Sequence, residues 1–378
     1  MNKSLVSLAI GTFTLGITEF AMMGILGDVA RGIGIDIVHA GHLISAYALG
    51  VAVGAPGLIF LRKMPLRKLL LLLAAMIAIG NGLTAISPGY ITLLCARFIA
   101  GLPHGAYFGA GAIVCTELAK DGKGASAVAI MVGGMTVANL IGVPGATFVS
   151  NVLSWRIAFG IVAVFGALTW VGIKSWMPIL RPLPDTGLKG QFKFLRNLEP
   201  WLIYAGVFFG QASVYCWLSY VQPIMNHITG FPAADMSWIM MIIGLGMVVG
   251  NFMAGKLSDR YKPAAVSGWL CVAVVLIMPA IYFCAEIKWL SLVLAFLAAA
   301  CLFGLGGPLQ FLIVRYSKGG EMLGGAGIQI AFNTSNAVSA AIGGLVISLG
   351  AGLAAPALAG APLAAIGAVS LFILSRKE

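Results

Sequence analysis

The sequence predicts an all-helical membrane protein whose twelve spans divide six and six, and three observations carry that prediction. The mean hydropathy is +1.01, with 60% apolar and only 9% charged residues, where a soluble domain has about a quarter of its residues charged. Apolar runs of about 20 residues or more recur from end to end, each long enough at about 1.5 Å per residue to cross the hydrocarbon layer. A single long polar interruption, at 178–198, falls near the middle of the 378 residues.

In order, the runs occupy 5–27, 38–61, 66–87, 89–117, 125–150, 156–177, 199–221, 233–256, 263–284, 289–314, 322–349 and 352–374. They are too long and too uniformly apolar for the alternating strands of a barrel, so each is read as a helix that satisfies its own backbone in lipid. The first follows Lys3 as a signal peptide would, but it exceeds an h-region in length and no small-x-small cleavage site follows, so it is read as a retained span.

Orientation comes from the basic residues in short loops. With the N-terminus placed in the cytoplasm, every lysine and arginine except Arg31, Arg97, Arg156 and Lys288 falls on the cytoplasmic side. The net charge of +11 is then an orientation signal that also suits contact with anionic lipid, and no nucleic-acid surface is invoked. Cys95, Cys115, Cys216, Cys271, Cys284 and Cys301 lie in or near spans without paired spacing and read as packing residues.

The polar interruption carries Pro178, Pro182 and Pro184 among basic residues and separates a first half, 1–177, from a second, 199–378. Equivalent points of the halves carry similar text. Gly54-Ala-Pro-Gly57 runs into the basic turn at Arg62 to Lys68, and Gly250 to Gly255 runs into Asp259-Arg260-Tyr-Lys262. Two such halves, both starting and ending on one side, suit parallel repeats around a central pathway.

Gly255-x-Leu-Ser-Asp259-Arg260 resembles the loop signature of the major facilitator superfamily. Arg97-x-x-x-Gly101-x-x-x-Gly105 resembles that family's arginine motif in the fourth span. Gly134-Met-Thr-Val-Ala-Asn139-Leu-Ile-Gly142-Val-Pro144-Gly145 resembles the glycine-proline motif of its antiporters, and Ser154-Trp155-Arg156 follows as in the twelve-helix drug:proton branch. With Glu19-Phe20, Gly54-Ala-Pro56, Pro103-His-Gly105 and Gln329-Ile-Ala-Phe-Asn333, the chain is similar to the arabinose efflux permease group of that branch. The resemblance implies two six-helix bundles with a central cavity, a monomer in a bacterial inner membrane with both termini cytoplasmic, and transport of a small molecule coupled to protons.

Glu19 is the residue that most needs explaining, because an ionised side chain near the bilayer centre costs at least about 2.5 kcal/mol. It lies roughly 12 Å from the outer end of its span, and Arg97 lies roughly 13 Å from the same face, at 1.5 Å per residue. One reading makes Glu19 a proton carrier whose protonation depends on whether its surroundings are wet, dry or filled by substrate, with Arg97 charged throughout. The other makes the two a buried ion pair that fixes helix register. His104 follows Arg97 by two turns on the same face. It reads either as a proton relay, imidazole titrating near pH 6.5, or as a packed histidine beside the irregularity at Pro103.

Other polar residues form faces. Gln329, Asn333 and Asn336 share one stripe of the eleventh span, and Gln211 and Tyr215 repeat the i, i+4 spacing in the seventh. These read as neutral hydrogen-bonding groups for a substrate or as interhelical contacts. Trp217, Tyr220 and Gln222, nearer the outer end, read as pathway residues or interface anchors. Asn139, Gly142 and Pro144 mark a close-packed seam with a bend, with Gly343-Gly344 as its counterpart in the second half. Asp259 and Arg260 read as a cytoplasmic gate, the acid suited to a neighbouring helix N-terminus.

No metal-protease, phosphate-loop or nucleophile-elbow motif occurs in the chain. No cofactor, metal or catalytic residue is therefore assigned, and Gly304 to Pro308 and Gly319 to Gly327 read as packing and hinge elements. An enzyme or a receptor would need a catalytic constellation or a soluble domain. The leading expectation is a proton-coupled secondary exporter of a small uncharged or amphipathic solute, sugar-like or drug-like, working by alternating access. The alternative within the same fold is a proton-coupled importer or facilitator of a sugar-like nutrient.

Overall fold

The computed structural model describes residues 3–35, 37–61, 63–119, 122–180, 190–232 and 235–378, and among them every regular element is helical. The first half contains α1 (Lys3–Gly24), α2 (Leu26–Ile33), α3 (Ile37–Leu61), α4 (Leu66–Ile86), α5 (Tyr90–Leu118), α6 (Gly124–Val137), α7 (Val143–Val152) and α8 (Trp155–Trp176). The second contains α9 (Leu198–Leu218), α10 (Val221–His227), α11 (Met236–Ser258), α12 (Pro263–Phe283), α13 (Lys288–Gly304), α14 (Gly306–Tyr316), α15 (Glu321–Ser348) and α16 (Ala355–Ser375). Eleven helical stretches of the described residues are long and apolar enough to span a bilayer. With α3, whose apolar stretch His42–Ala55 is shorter, they account for the twelve expected spans.

Three spans are less regular than their hydropathy suggests. The first is followed by α2, a short amphipathic helix that closes on Gly34 in the left-handed conformation, which glycine adopts at little cost. The fifth passes through a π-helical turn, Ala138–Gly142, directly before Pro144. Proline has no N–H for the carbonyl four residues back, so the turn widens there and the expected bend takes this form. The tenth breaks at Leu305 between α13 and α14, where Pro308 cannot donate to the carbonyl of Gly304.

The chain packs as two units. The first comprises Met1–Ala119, Ile130–Arg196 and Ser317–Ile330; the second comprises Lys120–Ala129, Asn197–Tyr316 and Ala331–Glu378. The start of the fifth span thus packs with the second unit and the start of the eleventh with the first. Residues 181–189 of the expected linker lie outside the described residues, as do Arg62 and Lys120 among the orienting charges.

Lipid offers no hydrophobic drive between helices, so close contact depends on small residues. In the first unit, a Cβ at Gly54 would collide with the carbonyl of Leu102, and one at Gly101 with that of Tyr47, so α3 and α5 touch backbone to backbone. A second seam joins α1 to the fifth span. Thr12 donates a hydrogen bond to the Met131 carbonyl, Gly134 faces the Ala9 carbonyl, and a Cβ at Gly142 would come within 2.6 Å of Ile17. Of the residues expected in a close-packed seam, Gly134 and Gly142 make these contacts, while Asn139 donates back within its own span to the Met135 carbonyl at 3.1 Å. In the second unit Gly250 of α11 faces the Ala300 carbonyl of α13, and Gly343 lies against Tyr220, 2.6 Å from an added Cβ to the ring.

Candidate functional site

The α3–α5 seam builds the centre of the first unit, because it holds Tyr47 directly against Arg97 and His104. Arg97 is completely buried. Its Nη1 donates to the Thr18 carbonyl at 2.8 Å and its Nε to that of Leu43 at 3.5 Å, while its guanidinium lies over the Tyr47 ring at 4.7 Å and near Phe159 at 5.5 Å. Backbone oxygens and aromatic faces are how a guanidinium is accommodated away from water. The bond to Thr18 puts Arg97 at the level of the neighbouring Glu19.

Glu19 is 5% exposed. Its Oε2 is buried without a hydrogen-bond partner, within range of the Arg97 charge, and Arg97 Nη2 is likewise buried without a partner. No ion pair joins the two among the described residues. An acid and a guanidinium each retaining one unsatisfied polar atom form a looser arrangement than a locked bidentate pair.

Tyr47 carries the connection onward. Its hydroxyl and His104 Nδ1 share a hydrogen bond of 2.7 Å, and His104 stacks on Phe108 at 5.2 Å between ring centroids. His104 is fully buried, and the side chain of Gln329 reaches its imidazole. Its Nε2 is buried without a hydrogen-bond partner, so the geometry suits both sequence readings, the packed histidine and the proton relay. Residues 18, 19, 43, 47, 97, 104 and 329 all belong to the first unit. Sequence reasoning missed Tyr47. Its signal was a phenol within an apolar stretch of α3, three residues before Gly50. Asn81 was also missed: it donates to Thr18 Oγ1 at 3.0 Å and steadies the segment beside Glu19.

The second unit holds the neutral set. Gln211 and Tyr215 are buried on α9. Gln211 Oε1 lacks a partner, and Tyr215 packs edge-on against Phe332 of α15 at 5.6 Å. Asn333 and Asn336 are half-buried on that helix, which Ser335 ties to α9 by donating to the Phe208 carbonyl at 2.8 Å. The stripe Gln329, Asn333, Asn336 is thus divided, Gln329 packing with the first unit and the asparagines with the second. Trp217 is fully buried with its indole nitrogen unpartnered, so it does not stand on a lipid-facing surface as an interface anchor would; the side chain of Gln222 lies outside the described residues.

Asp259 ends α11 and accepts from both the backbone N–H of Ser126, at 3.2 Å, and its hydroxyl. Ser126 stands in the first turn of α6, so the acid meets free amides and the positive end of a helix. Asn251 adds a bond of 2.8 Å to the Ala129 carbonyl. Arg260 is exposed.

Comparison with known proteins agrees with this architecture. Residues 8–326 match the Major Facilitator Superfamily. AraJ of Escherichia coli (strain K12) is 45% identical over 377 residues, covering 100% of this chain and 96% of that one. A chloramphenicol resistance protein of Streptomyces lividans is 29% identical over 361 residues, covering 92% of this chain and 88% of its own. Among solved structures, the fucose:proton symporter FucP of E. coli superimposes with a TM-score of 0.79 at 15% identity, covering 98% of each chain, which is a likeness of fold.

Proposed function

The chain belongs to the major facilitator superfamily and is a multi-pass membrane transporter of a small molecule; on that premise we propose that it is a proton-coupled exporter. The observation that carries the reading is Glu19, an acid within a span, buried with one oxygen unsatisfied and within range of the Arg97 charge. Such a group is costly to keep and is retained for ion handling. Glu19 takes a proton from the outer side, which releases solute, and returns it to the cytoplasm. Arg97 holds the site's charge balance, and Tyr47 and His104 fix the helices around it.

Gln211, Tyr215, Asn333 and Asn336 supply neutral hydrogen-bonding groups beside Phe332, which suit an uncharged or amphipathic solute. The chloramphenicol resistance relative supports a drug-like solute of this kind and outward transport. The Asp259 contact with Ser126 supports a gate on the cytoplasmic side, released as the protein alternates its access. The distribution of basic residues supports an inner membrane with both termini cytoplasmic.

The test is transport in proteoliposomes. Chloramphenicol, arabinose and related neutral solutes are first screened for thermal stabilisation of the purified protein, and any that bind are then followed under an imposed pH gradient. Antiport carries solute to the acidic side. Accumulation on the alkaline side means proton-coupled import, and movement indifferent to pH removes the coupling.

A further inference from the structure

Of the three loop basic residues that the sequence reading sets apart from the cytoplasmic ones, Arg31, Arg156 and Lys288, the first two line a single cavity. It measures about 500 Å³ and is bordered by Asp28, Arg31, Ser150, Leu153, Trp155 and Arg156, with Gly32 and Ser154. All belong to the first unit, and none takes part in the site described above.

The local sequence explains the cavity. Helix α2 buries Val29 in a cluster with Ile25, Met22, Leu43, Trp155 and Phe159, and this sets its opposite face, Asp28 and Arg31, toward the end of the fifth span. Ser150 donates to Asp28 Oδ2 at 2.8 Å, and Asp28 pairs with Arg31. A Cβ at Gly32 would collide with the Trp155 indole nitrogen, so α2 rests directly on the first turn of α8. Arg156, the next residue, lays its guanidinium over the Trp155 ring at 4.1 Å, and its Nη1 is buried with no hydrogen-bond partner. Arg31 is 77% exposed, with donors to spare. Two guanidiniums against one carboxylate leave the cavity a net positive charge.

The geometry points to a site for the phosphodiester headgroup of a membrane lipid, with Arg156 and Arg31 as its phosphate contacts. Guanidinium donors match phosphate oxygens in pairs, and basic pockets between spans hold anionic headgroups. A lipid is favoured over a soluble phosphate by the rim: Leu153, which lines the cavity, is 65% exposed, and the nearby Val152 and Ile157 are also exposed. At the ends of membrane spans, such side chains meet acyl chains just below headgroup depth.

The experiment is thermal unfolding of the purified full chain in detergent, with phosphatidylglycerol added. Controls are a diacylglycerol of the same chains and soluble glycerophosphoglycerol. Phosphatidylglycerol raises the midpoint by roughly 2 to 4 °C, while neither control does. Arg156→Gln abolishes the rise and Arg156→Lys retains part of it. Arg31→Gln, at a position 77% exposed, at least halves it, and Lys288→Gln leaves it intact. An undiminished rise in both Arg156→Gln and Arg31→Gln, or an equal loss in Lys288→Gln, overturns the site. An equal rise with glycerophosphoglycerol overturns its assignment to a lipid.

Discussion

The two units solve different chemical problems with the same kind of helix seam. In the first, glycine-lined contacts bring together an acid, a guanidinium, a phenol and an imidazole, all buried: Glu19, Arg97, Tyr47 and His104. In the second, similar contacts occur at Gly250 and Gly343, while among the described residues the polar groups at depth are neutral, Gln211, Tyr215 and the asparagines of α15, and the charges stand at helix ends. Charge in a membrane interior is expensive and neutral amides are cheap. On the proposed function, confining buried charge to one unit would let proton handling and solute recognition respond to mutation separately.

Arg97→Gln should break this contrast most severely. It removes the charge nearest Glu19 and strands the buried carbonyls of Thr18 and Leu43 that Arg97 bonds, at about 1 to 3 kcal/mol for each, with a loss of flux, read by thermal unfolding and by transport. Adding Glu19→Gln to Arg97→Gln should recover much of the stability but not the coupling. A double variant no more stable than Arg97→Gln alone shows that the two charges do not sense each other.

Next in size are changes at the Tyr47 contact. Tyr47→Phe strands the buried His104 nitrogen, costing about 1 to 3 kcal/mol, and should alter the pH profile of transport. Gly101→Val, which pushes on the Tyr47 carbonyl, should cost a similar amount, about 1 to 3 kcal/mol or somewhat more, and alter the profile too. Gly250→Val should destabilise comparably and leave the profile alone. An unchanged profile in Gly101→Val would separate Tyr47 from proton handling.

The smallest effects belong to the neutral set. Gln211→Ala and Asn333→Ala should each weaken solute binding by about 0.5 to 1.5 kcal/mol, roughly two- to tenfold in KM, with the pH dependence intact. A shifted pH profile in either variant would place proton handling in both units.

Much of this was legible in the sequence, for reasons that also explain what was not. Spans are legible because each meets the bilayer independently of its partners, and Glu19 and Arg97 stand out because charge is rare there. The matched depth of Glu19 and Arg97 follows from helix rise alone. What escaped depended on partners. Pro144 signalled a bend without specifying a π turn. Gly54 and Gly101 signalled close approach without showing that Tyr47 would be held between Arg97 and His104. The even stripe of Gln329, Asn333 and Asn336 gave no hint that its first member faces His104. The acid at Asp259 asked for a helix N-terminus, but only the fold identifies it as that of α6. Helix α2 is too short and too polar for a hydropathy reading, so the cavity beside Arg156 was invisible.

The central claim is that Glu19 carries the proton. Protein bearing Glu19→Gln, reconstituted in proteoliposomes, should still exchange solute across the membrane in the absence of a gradient, yet fail to accumulate it on the acidic side when a pH gradient is imposed. Accumulation to the wild-type ratio under that gradient would contradict the account.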